Sequence, residues 1–362
     1  MSAADGTARP PVRAILALPG DPETPTGGYA YARELLRHAD AAGLILDTWP
    51  LPPGFPEPDD ATLAETARRF AMVPSAWPMI IDGLALGVLP PEVIAAVDGP
   101  VIALCHHPLG FETGLTLDSR AALIRSERAA LAMCAGVIAT SSSTADLLRR
   151  DFAVPADRIT VAPPGTCPAA RATGSAGPGV EILSVGTVTP RKGHDLLVAA
   201  LAGLSDLDWH LTIVGSEDRD PACAAELRAQ IARCALQDRV TLTGALDASG
   251  LERRYAGADL FALASRYEGF GMAYAEAMAH GLPVLGCNTG AVAEATRGAA
   301  RLVAPDDPPA LTGSLRDLIT DRAARDALAA DCAAAAQALP RWADTAASVA
   351  GAVALTTRPK PA

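Results

Sequence analysis

The chain has 362 residues, half of them hydrophobic, and a formal net charge of −11 at pH 7. A chain of this length is typical of two domains, each with its own core. The acidic balance argues against a nucleic-acid partner, which needs clustered Lys and Arg, and it gives no support to peripheral contact with an anionic membrane.

The start of the chain, the cysteines and the length of the apolar runs predict a cytoplasmic protein without a transmembrane segment. The short apolar run between Arg13 and Pro19 is too short for a secretory signal and predicts a first strand. The seven cysteines form no CxxC pair, so neither a zinc site nor a redox motif is indicated, and their odd number suits a reducing compartment. The apolar run Ala129 to Ala139 is well short of a membrane span, so no transmembrane segment is expected.

Short apolar runs then alternate with amphipathic stretches, which is typical of parallel sheets built from strand-helix-strand units. The runs of the first half are VRAILAL, PMIID, GPVIALC, GVIAT and RITVAP, and those of the second half are VEILSVG, WHLTIVG, RVTLTG, ADLFALA and LPVLG. Between the halves lies the Pro- and Gly-rich segment PPGTCPAARATGSAGPGV, which is typical of an exposed connection. The pattern predicts an α/β protein with two tandem Rossmann-like domains.

The predicted boundaries follow from this pattern. We expect an N-terminal domain, a linker, a C-terminal domain, a terminal helix and a disordered polar tail, at residues 1–165, 166–179, 180–340, 341–355 and 356–362.

In the second half, the segment RYEGFGMAYAEAMAHGLPV places Glu268 before a glycine-rich turn and Glu276 eight positions later. The turn joins a predicted buried strand to a predicted helix, a place where open α/β sheets bind ligands and where helix amides favour a phosphate. Because carboxylates repel a phosphate, we expect the two acids to accept hydrogen bonds from vicinal hydroxyls. A nucleotide sugar, with a ring on each side of its phosphates, fits this layout.

The segment SVGTVTPRKGHDLLVAA supplies two adjacent cations, Arg191 and Lys192, between a strand and a helix. We expect them to neutralise a diphosphate from the side opposite the carboxylates. Taken alone, a basic pair before a helix and two acids on an Ala-rich stretch fit solvated surface equally well. The chain contains only one other lysine, Lys360, which favours a specific role for Lys192.

Together, VGTVTPRKG and EGFGMAYAEAMAHGLPV resemble the retaining glycosyltransferases of family four, which have the GT-B fold and include many bacterial mannosyl- and glucosyltransferases. The resemblance covers nearly the whole chain, with weaker matches in TPTGGYAYARELL, ITVAPPGT and Trp342. It implies two Rossmann-like domains with an interdomain cleft, and transfer of a hexose from a nucleotide-diphosphate sugar to a hydroxyl acceptor with retention of configuration. No cofactor and no metal are implied.

By this resemblance, Glu276 would bind the ribose hydroxyls and Glu268 the sugar hydroxyls, while Arg191 and Lys192 would bind the diphosphate and stabilise it as it departs. The remaining donor contacts would come from backbone groups, at Gly27, Gly28, Gly215, Gly269, Phe270, Gly271 and Met272. Many members carry Arg where this chain has Thr187, so donor binding would depend more on Arg191.

In VIALCHHPLG, the resemblance places a histidine near the sugar and the attacking hydroxyl, and we favour His106 over His107. Neither is expected to bind a metal. The sequence leaves three alternatives for the acceptor: a glycan, a lipid-linked sugar and a small molecule. It leaves UDP and GDP for the nucleotide of the donor, and it does not determine the oligomeric state.

Other functions compete with the transferase. A sugar-nucleotide epimerase or a catalytically silent nucleotide-sugar scaffold would use the same donor site. A phosphorylase would need another lysine for pyridoxal phosphate, and a dehydrogenase would need a GxGxxG turn that the sequence does not contain.

Overall fold

The computed structural model describes residues 12–24 and 26–357. The last residues of the predicted tail, including Lys360, lie outside the described residues. The first half holds the strands β1 (Val12–Pro19), β2 (Leu44–Leu51), β3 (Met79–Asp82), β4 (Val101–Cys105), β5 (Gly136–Ala139) and β6 (Ile159–Val161). Its helices are α1 (Gly27–Ala39), α2 (Asp60–Phe70), α3 (Gly83–Leu86), α4 (Pro91–Ile94), α5 (Leu117–Met133) and α6 (Ser142–Phe152).

The second half repeats the alternation. Its strands are β7 (Val180–Val185), β8 (Trp209–Val214), β9 (Val240–Leu242), β10 (Leu260–Leu263), β11 (Val284–Cys287) and β12 (Arg301–Val303). Its helices are α7 (His194–Ala202), α8 (Pro221–Arg233), α9 (Ala248–Gly257), α10 (Met272–Ala279), α11 (Val292–Ala295), α12 (Pro308–Thr320), α13 (Arg322–Ala336) and α14 (Trp342–Thr356).

Each half forms a parallel sheet of six strands within the described residues, and the prediction of two tandem α/β sheets is confirmed. The strand orders are β2-β1-β3-β4-β5-β6 and β12-β11-β10-β7-β8-β9. The strand order reverses between β1 and β3 in the first sheet and between β10 and β7 in the second. Ligands of open α/β sheets bind outside the carboxyl ends of strands at such switch points, so the connections after these strands position the site.

Alternate residues of the central strands pack into cores on both faces of each sheet. In β1, Ile15 and Ala17 join one core, while Leu16 and Leu18 face the opposite core beneath α1 and α14. In the second sheet, alternate residues of β10 likewise enter two different cores. Burial on both faces explains why these strands are continuous apolar runs in the sequence.

The terminal helix α14 returns to the first sheet, where Trp342 is buried in the core beside α1. The incoming and outgoing chain segments run side by side, since the amide of Thr166 donates to the carbonyl of Pro340 at 2.8 Å. A Cβ added at Gly165 would lie 2.2 Å from the amide nitrogen of Trp342, so the two segments cross in direct contact. Residues 166–179 contain no helix or strand.

No helix among the described residues combines the length and the apolar character needed to cross a bilayer. All seven cysteines are free, and of these only Cys167, in the connection between the sheets, is exposed.

Candidate active site

The two candidate cations lie in a short 3-10 turn, Pro190–Lys192, after the end of β7. Arg266, in the connection after β10, holds this turn in place. Its amide donates to the carbonyl of Arg191 at 2.8 Å, and its guanidinium donates to the carbonyl of Pro190 at 2.6 Å. The same guanidinium binds both carboxylate oxygens of Asp195, at 2.9 and 2.7 Å. The turn is therefore fixed against the neighbouring strand across the switch point.

Glu268 lies in the connection after β10 and is buried, with 4% of its surface exposed. Its Oε1 accepts hydrogen bonds from Nζ of Lys192 at 2.6 Å and from the hydroxyl of Ser265 at 2.7 Å. Its Oε2 lies 3.5 Å from Nη1 of Arg191. Burial alone would raise the pKa of Glu268, but Lys192 and Arg191 outweigh it and hold the pKa below its ordinary value.

This arrangement corrects one expectation. We predicted that the two cations face the diphosphate from the side opposite the carboxylates, and for Glu268 this is wrong, because it is in direct contact with Lys192. A buried carboxylate needs a partner of opposite charge, and the turn after β7 is the nearest source. A ligand in this site therefore meets a cation already paired with an acid.

The turn that follows Glu268 needs glycine at two positions. A Cβ added at Gly269 would lie 2.1 Å from the carbonyl oxygen of His106, across the cleft between the two halves. Gly271, which immediately precedes α10, has a φ of 106°, which L side chains rarely adopt. Phe270 is buried between them, and Met272 is the first residue of α10. The glycines let the backbone of the second half approach the first half closely.

Glu276 lies one turn into α10 and is half-buried. Its Oε2 accepts a hydrogen bond from the hydroxyl of Tyr255 at 2.9 Å. Burial raises the pKa of Glu276, although Tyr255 and Lys192 oppose this shift. Gly215 follows β8, the strand beside β7, and its amide donates to the carbonyl of Gly244 at 3.0 Å.

In the first half, Gly27 and Gly28 are the first residues of α1, which follows β1 at its switch point. A Cβ at Gly27 would lie 3.8 Å from Sδ of Met272 in the second half. A Cβ at Gly28 would lie 3.5 Å from the ring of His106. The start of α1 therefore lies beside both the glycine turn and the histidine.

His106 follows β4, and its Nε2 lies 3.3 Å from Oδ2 of Asp82, which ends β3. The other Asp82 oxygen, Oδ1, accepts from the amide of Leu84 at 2.9 Å. The rings of Tyr31 and His106 pack in a T-shaped arrangement, with 5.3 Å between ring centroids. The imidazole thus lies between a carboxylate and an aromatic ring at the cleft.

His107 takes part in a different set of contacts. Its Nε2 lies 3.3 Å from Oε2 of Glu112, and Oε1 of Glu112 lies 3.2 Å from Nε of Arg191 in the second half. Burial alone would raise the pKa of Glu112, but His107 and Arg191 hold it at about 2. Glu112 is therefore ionised and joins the two halves. The preference for His106 over His107 stays a prediction.

A second contact crosses between the halves at the first turn of α6. The carboxylate of Glu294 accepts from the amides of Ser142 and Ser143, at 2.8 and 3.2 Å. These amides have no partner within their own helix, and the acid from the other half supplements the N-cap Ser141, which accepts from the amide of Thr144 at 2.9 Å. The hydroxyl of Thr144 adds a longer contact, 3.4 Å, to the carbonyl of Gly269.

Sequence reasoning identified the acids, the cations and the glycine turns but missed five residues that contact them or join the two halves: Asp82, Glu112, Tyr255, Arg266 and Glu294. Asp82 ends a predicted strand at a switch point and Arg266 follows one, a signal that could have found them. Glu112, Tyr255 and Glu294 carry no such signal. Within residues 12–24 and 26–357, no three His, Cys, Asp or Glu side chains cluster in a way that could hold a metal ion.

Chemically, the cleft combines two cations, backbone amides at the start of α10 and two glutamates, of which one is paired with a cation and the other with a phenol. Cations and amides that are fixed before a ligand arrives stabilise negative charge without reorganisation. The ionised Glu268 and the more weakly acidic Glu276 are both hydrogen-bond acceptors for hydroxyl groups. The site is suited to a ligand that carries phosphates between two hydroxylated parts.

Two family models match the chain. Residues 24–169 match the model described as Glycosyltransferase Family 4, and residues 179–321 match the model described as Glycosyl transferases group 1. The two ranges correspond to the two sheets and take in most of the chain.

Curated relatives include a mannosylfructose-phosphate synthase of Agrobacterium fabrum, 31% identical over 169 residues, which are 42% of this chain and 37% of that protein. A D-inositol 3-phosphate glycosyltransferase of Xylanimonas cellulosilytica is 31% identical over 260 residues, which are 66% of this chain and 61% of that protein. The chain thus spans less than two thirds of the length of the first curated relatives that it matches.

Solved structures share the fold over a larger part of the chain. Sucrose-phosphate synthase from Thermosynechococcus elongatus superposes with a TM-score of 0.76 at 21% identity, covering 92% of this chain and 96% of that chain. Anabaena HepE, in complex with UDP and glucose, gives a TM-score of 0.73 at 16% identity, covering 95% of this chain and 100% of that chain. These neighbours have the two-domain GT-B fold.

Proposed function

The chain belongs to the glycosyltransferases of group 1 and family 4, and on that premise we propose that it transfers a hexosyl group from a nucleoside-diphosphate sugar to a hydroxyl acceptor with retention of configuration. The observation that carries this proposal is the pairing of Lys192 with Glu268 at 2.6 Å, at the switch point between β7 and β10. It supports the proposal because the cation that would bind the phosphates lies within one hydrogen bond of the acid that would accept the sugar hydroxyls.

The donor would lie across the carboxyl ends of the second sheet. Its diphosphate would meet Arg191, Lys192 and the amides around Gly271 and Met272, while its ribose would bind Glu276. The hexose would bind Glu268 and face His106 across the cleft. The approach of the Gly269 turn to the His106 carbonyl supports this assignment, because it brings the two halves together where the hexose and the acceptor would meet.

In the reaction, the bond between the anomeric carbon and the diphosphate oxygen breaks, and its electron pair stays on the phosphate. The acceptor oxygen bonds to the anomeric carbon, and its proton passes to the departing phosphate, so no protein nucleophile takes part. Arg191 and Lys192 would stabilise the growing negative charge. Loss of one such preorganised donor typically reduces the rate by about 10²–10³.

The relatives support a sugar donor of this class. The named relatives are a mannosylfructose-phosphate synthase and a D-inositol 3-phosphate glycosyltransferase, and HepE was solved with UDP and glucose. We infer a nucleoside-diphosphate hexose as donor. The seven free cysteines support a reducing compartment, and we place the protein in the cytoplasm on that ground.

The proposal is tested by binding and turnover with the purified chain. Isothermal titration with UDP, GDP and ADP should give binding by one of them, and Glu276→Ala should weaken it. Release of that nucleotide from its hexose derivatives, in the presence of a panel of sugar and polyol acceptors, should persist in EDTA. The absence of binding by all three nucleotides, or a loss of turnover on chelation, would count against the proposal.

A further inference from the structure

Tyr255, on α9, lies behind the acid to which the ribose is assigned. The residue is 2% exposed, and its hydroxyl lies 2.9 Å from Oε2 of Glu276 and 3.4 Å from the carbonyl oxygen of Ala273. A hydroxyl carries a single proton. The shorter distance and the charge of the acceptor favour donation to Glu276, since hydrogen bonds to charged groups are the stronger ones.

The Tyr255 ring is itself fixed from several sides. It stacks on the His280 ring, with 4.7 Å between centroids and 11° between planes, and it packs near Phe261 in the core. His280 is held in turn by the segment that joins the two halves. Its Nδ1 lies 3.0 Å from the carbonyl of Ala170, and its own carbonyl accepts from the amide of Ala172 at 2.8 Å. The phenol therefore cannot swing away from Glu276 without disturbing α10 and the connection.

A carboxylate that recognises a pair of neighbouring hydroxyls must turn its plane so that both oxygens face them. The terminal torsion of a glutamate is broad, so the plane is poorly defined without a partner. The contact at Oε2 supplies that partner and leaves the remaining acceptor sites of both oxygens open to a ligand.

We propose that Tyr255 is a positioning residue that fixes the carboxylate plane of Glu276 for recognition of the ribose diol. The inference rests on the proposed function, because it takes the nucleoside diphosphate as the ligand of Glu276. Tyr255 does not touch the ligand and acts only through the acid. Its removal should weaken ribose recognition selectively, rather than lower the affinity for every part of the nucleotide.

The test compares ribose with 2′-deoxyribose. The nucleoside diphosphate that binds most tightly among UDP, GDP and ADP is titrated, beside its 2′-deoxy form, into wild type and Tyr255→Phe. Loss of a hydrogen bond to a charged group should reduce the ribose-over-deoxyribose preference by about 10-fold. Affinity for the deoxy form should change by less than this.

Tyr274→Phe is the matched control. Tyr274 is a buried tyrosine on α10 in the same core cluster, but its hydroxyl donates to the carbonyl of Leu263 at 2.7 Å. This variant should keep the wild-type preference for ribose. An equal fall in both variants would overturn the inference, because it would indicate a general loosening of α10.

Glu276→Ala provides a second, independent measurement, because it removes the acceptor of the Tyr255 hydroxyl. If Tyr255 acts through the acid, adding Tyr255→Phe to Glu276→Ala should leave the ribose preference of Glu276→Ala unchanged. A further fall in the double variant, or an unchanged preference in Tyr255→Phe alone, would overturn the inference. If wild type binds none of the three nucleotides, the proposed function itself is wrong, which distinguishes the two failures.

Discussion

Nζ of Lys192 and Oε1 of Glu268 lie 2.6 Å apart, although 76 residues separate them in the chain. The two side chains follow the neighbouring strands β7 and β10, where the strand order of the second sheet reverses. Because both are largely buried, loss of either side chain alone leaves the other charge poorly compensated, so substitutions here affect the fold as well as the site. Substitutions of Lys192 or Glu268 should therefore change both the free energy of unfolding and the turnover.

Lys192→Ala should therefore lower stability as well as turnover. Removing one partner of a buried pair costs about 3 kcal/mol, and Glu268 would keep only Arg191, 3.5 Å away, as a charged partner. The double variant Lys192→Ala/Glu268→Gln should regain most of the free energy of unfolding, measured in urea, but none of the turnover. Full turnover in the single variant would contradict the role of Lys192 at the phosphates.

Glu112→Gln should tighten the binding of nucleoside diphosphate. The Glu112 carboxylate lies 3.2 Å from Nε of Arg191, so it competes with the phosphates for that cation. The amide keeps the size of the side chain but loses its charge. Calorimetry should give a lower dissociation constant than for wild type, and a higher one would mean that Glu112 holds Arg191 in its binding position.

Nucleotide binding should depend on the ionisation of Glu276. Burial raises the pKa of this acid, so its carboxylate is lost at a higher pH than that of an ordinary glutamate. Affinity should fall as the pH is lowered and the acid takes up a proton. Glu276→Gln is the control: any pH dependence that remains in this variant belongs to the phosphates, and profiles of the same shape would contradict the prediction.

Glu294→Ala should loosen the contact between the two halves. Its carboxylate binds the amides of Ser142 and Ser143 at 2.8 and 3.2 Å, and loss of a capping acceptor typically costs about 1 kcal/mol. Hydrogen exchange at the start of α6 should become faster. Asp146→Ala, on α6 itself, is the control and should leave the exchange of these two amides unchanged.

Stability should fall as the pH rises through the neutral range because of Glu127. This buried acid on α5 accepts from the amide of Leu109 at 3.0 Å, and burial raises its pKa to about 8. The pKa of this acid is about 4 in the unfolded state and about 8 in the folded state. At pH values between these two, the folded state binds more protons than the unfolded state, so rising pH favours unfolding. The free energy of unfolding, measured in urea at pH 6 and at pH 8, should differ less between the two pH values for Glu127→Gln than for wild type or for the exposed Glu92→Gln.

Much of the fold could be predicted because the central strands are buried on both faces, which leaves continuous apolar runs in the sequence. The edge strand β2 was not among the predicted runs, since Asp47, Thr48 and Pro50 interrupt its apolar residues. The short strand β12 was not among them either.

The candidate site was predicted in its residues but not in its pairings. Local motifs contained Glu268, Glu276, Arg191 and Lys192. The contact between Arg191 and Glu112 joins residues from different halves of the chain, and no local spacing indicates it. Likewise, Glu294 has the pattern of an ordinary helix acid, and only the folded chain brings it to the start of α6.

The crossing of the chain at Gly165 and Trp342 makes the second sheet an insertion within the first domain, because α14 completes the core beside α1. Both junctions of the insertion meet at one place, where Thr166 is bonded to Pro340. A cut at this crossing would release the whole second half as one cassette with adjacent ends. The corresponding half of a relative could be grafted there, exchanging the second sheet while the first sheet keeps its own helix α14.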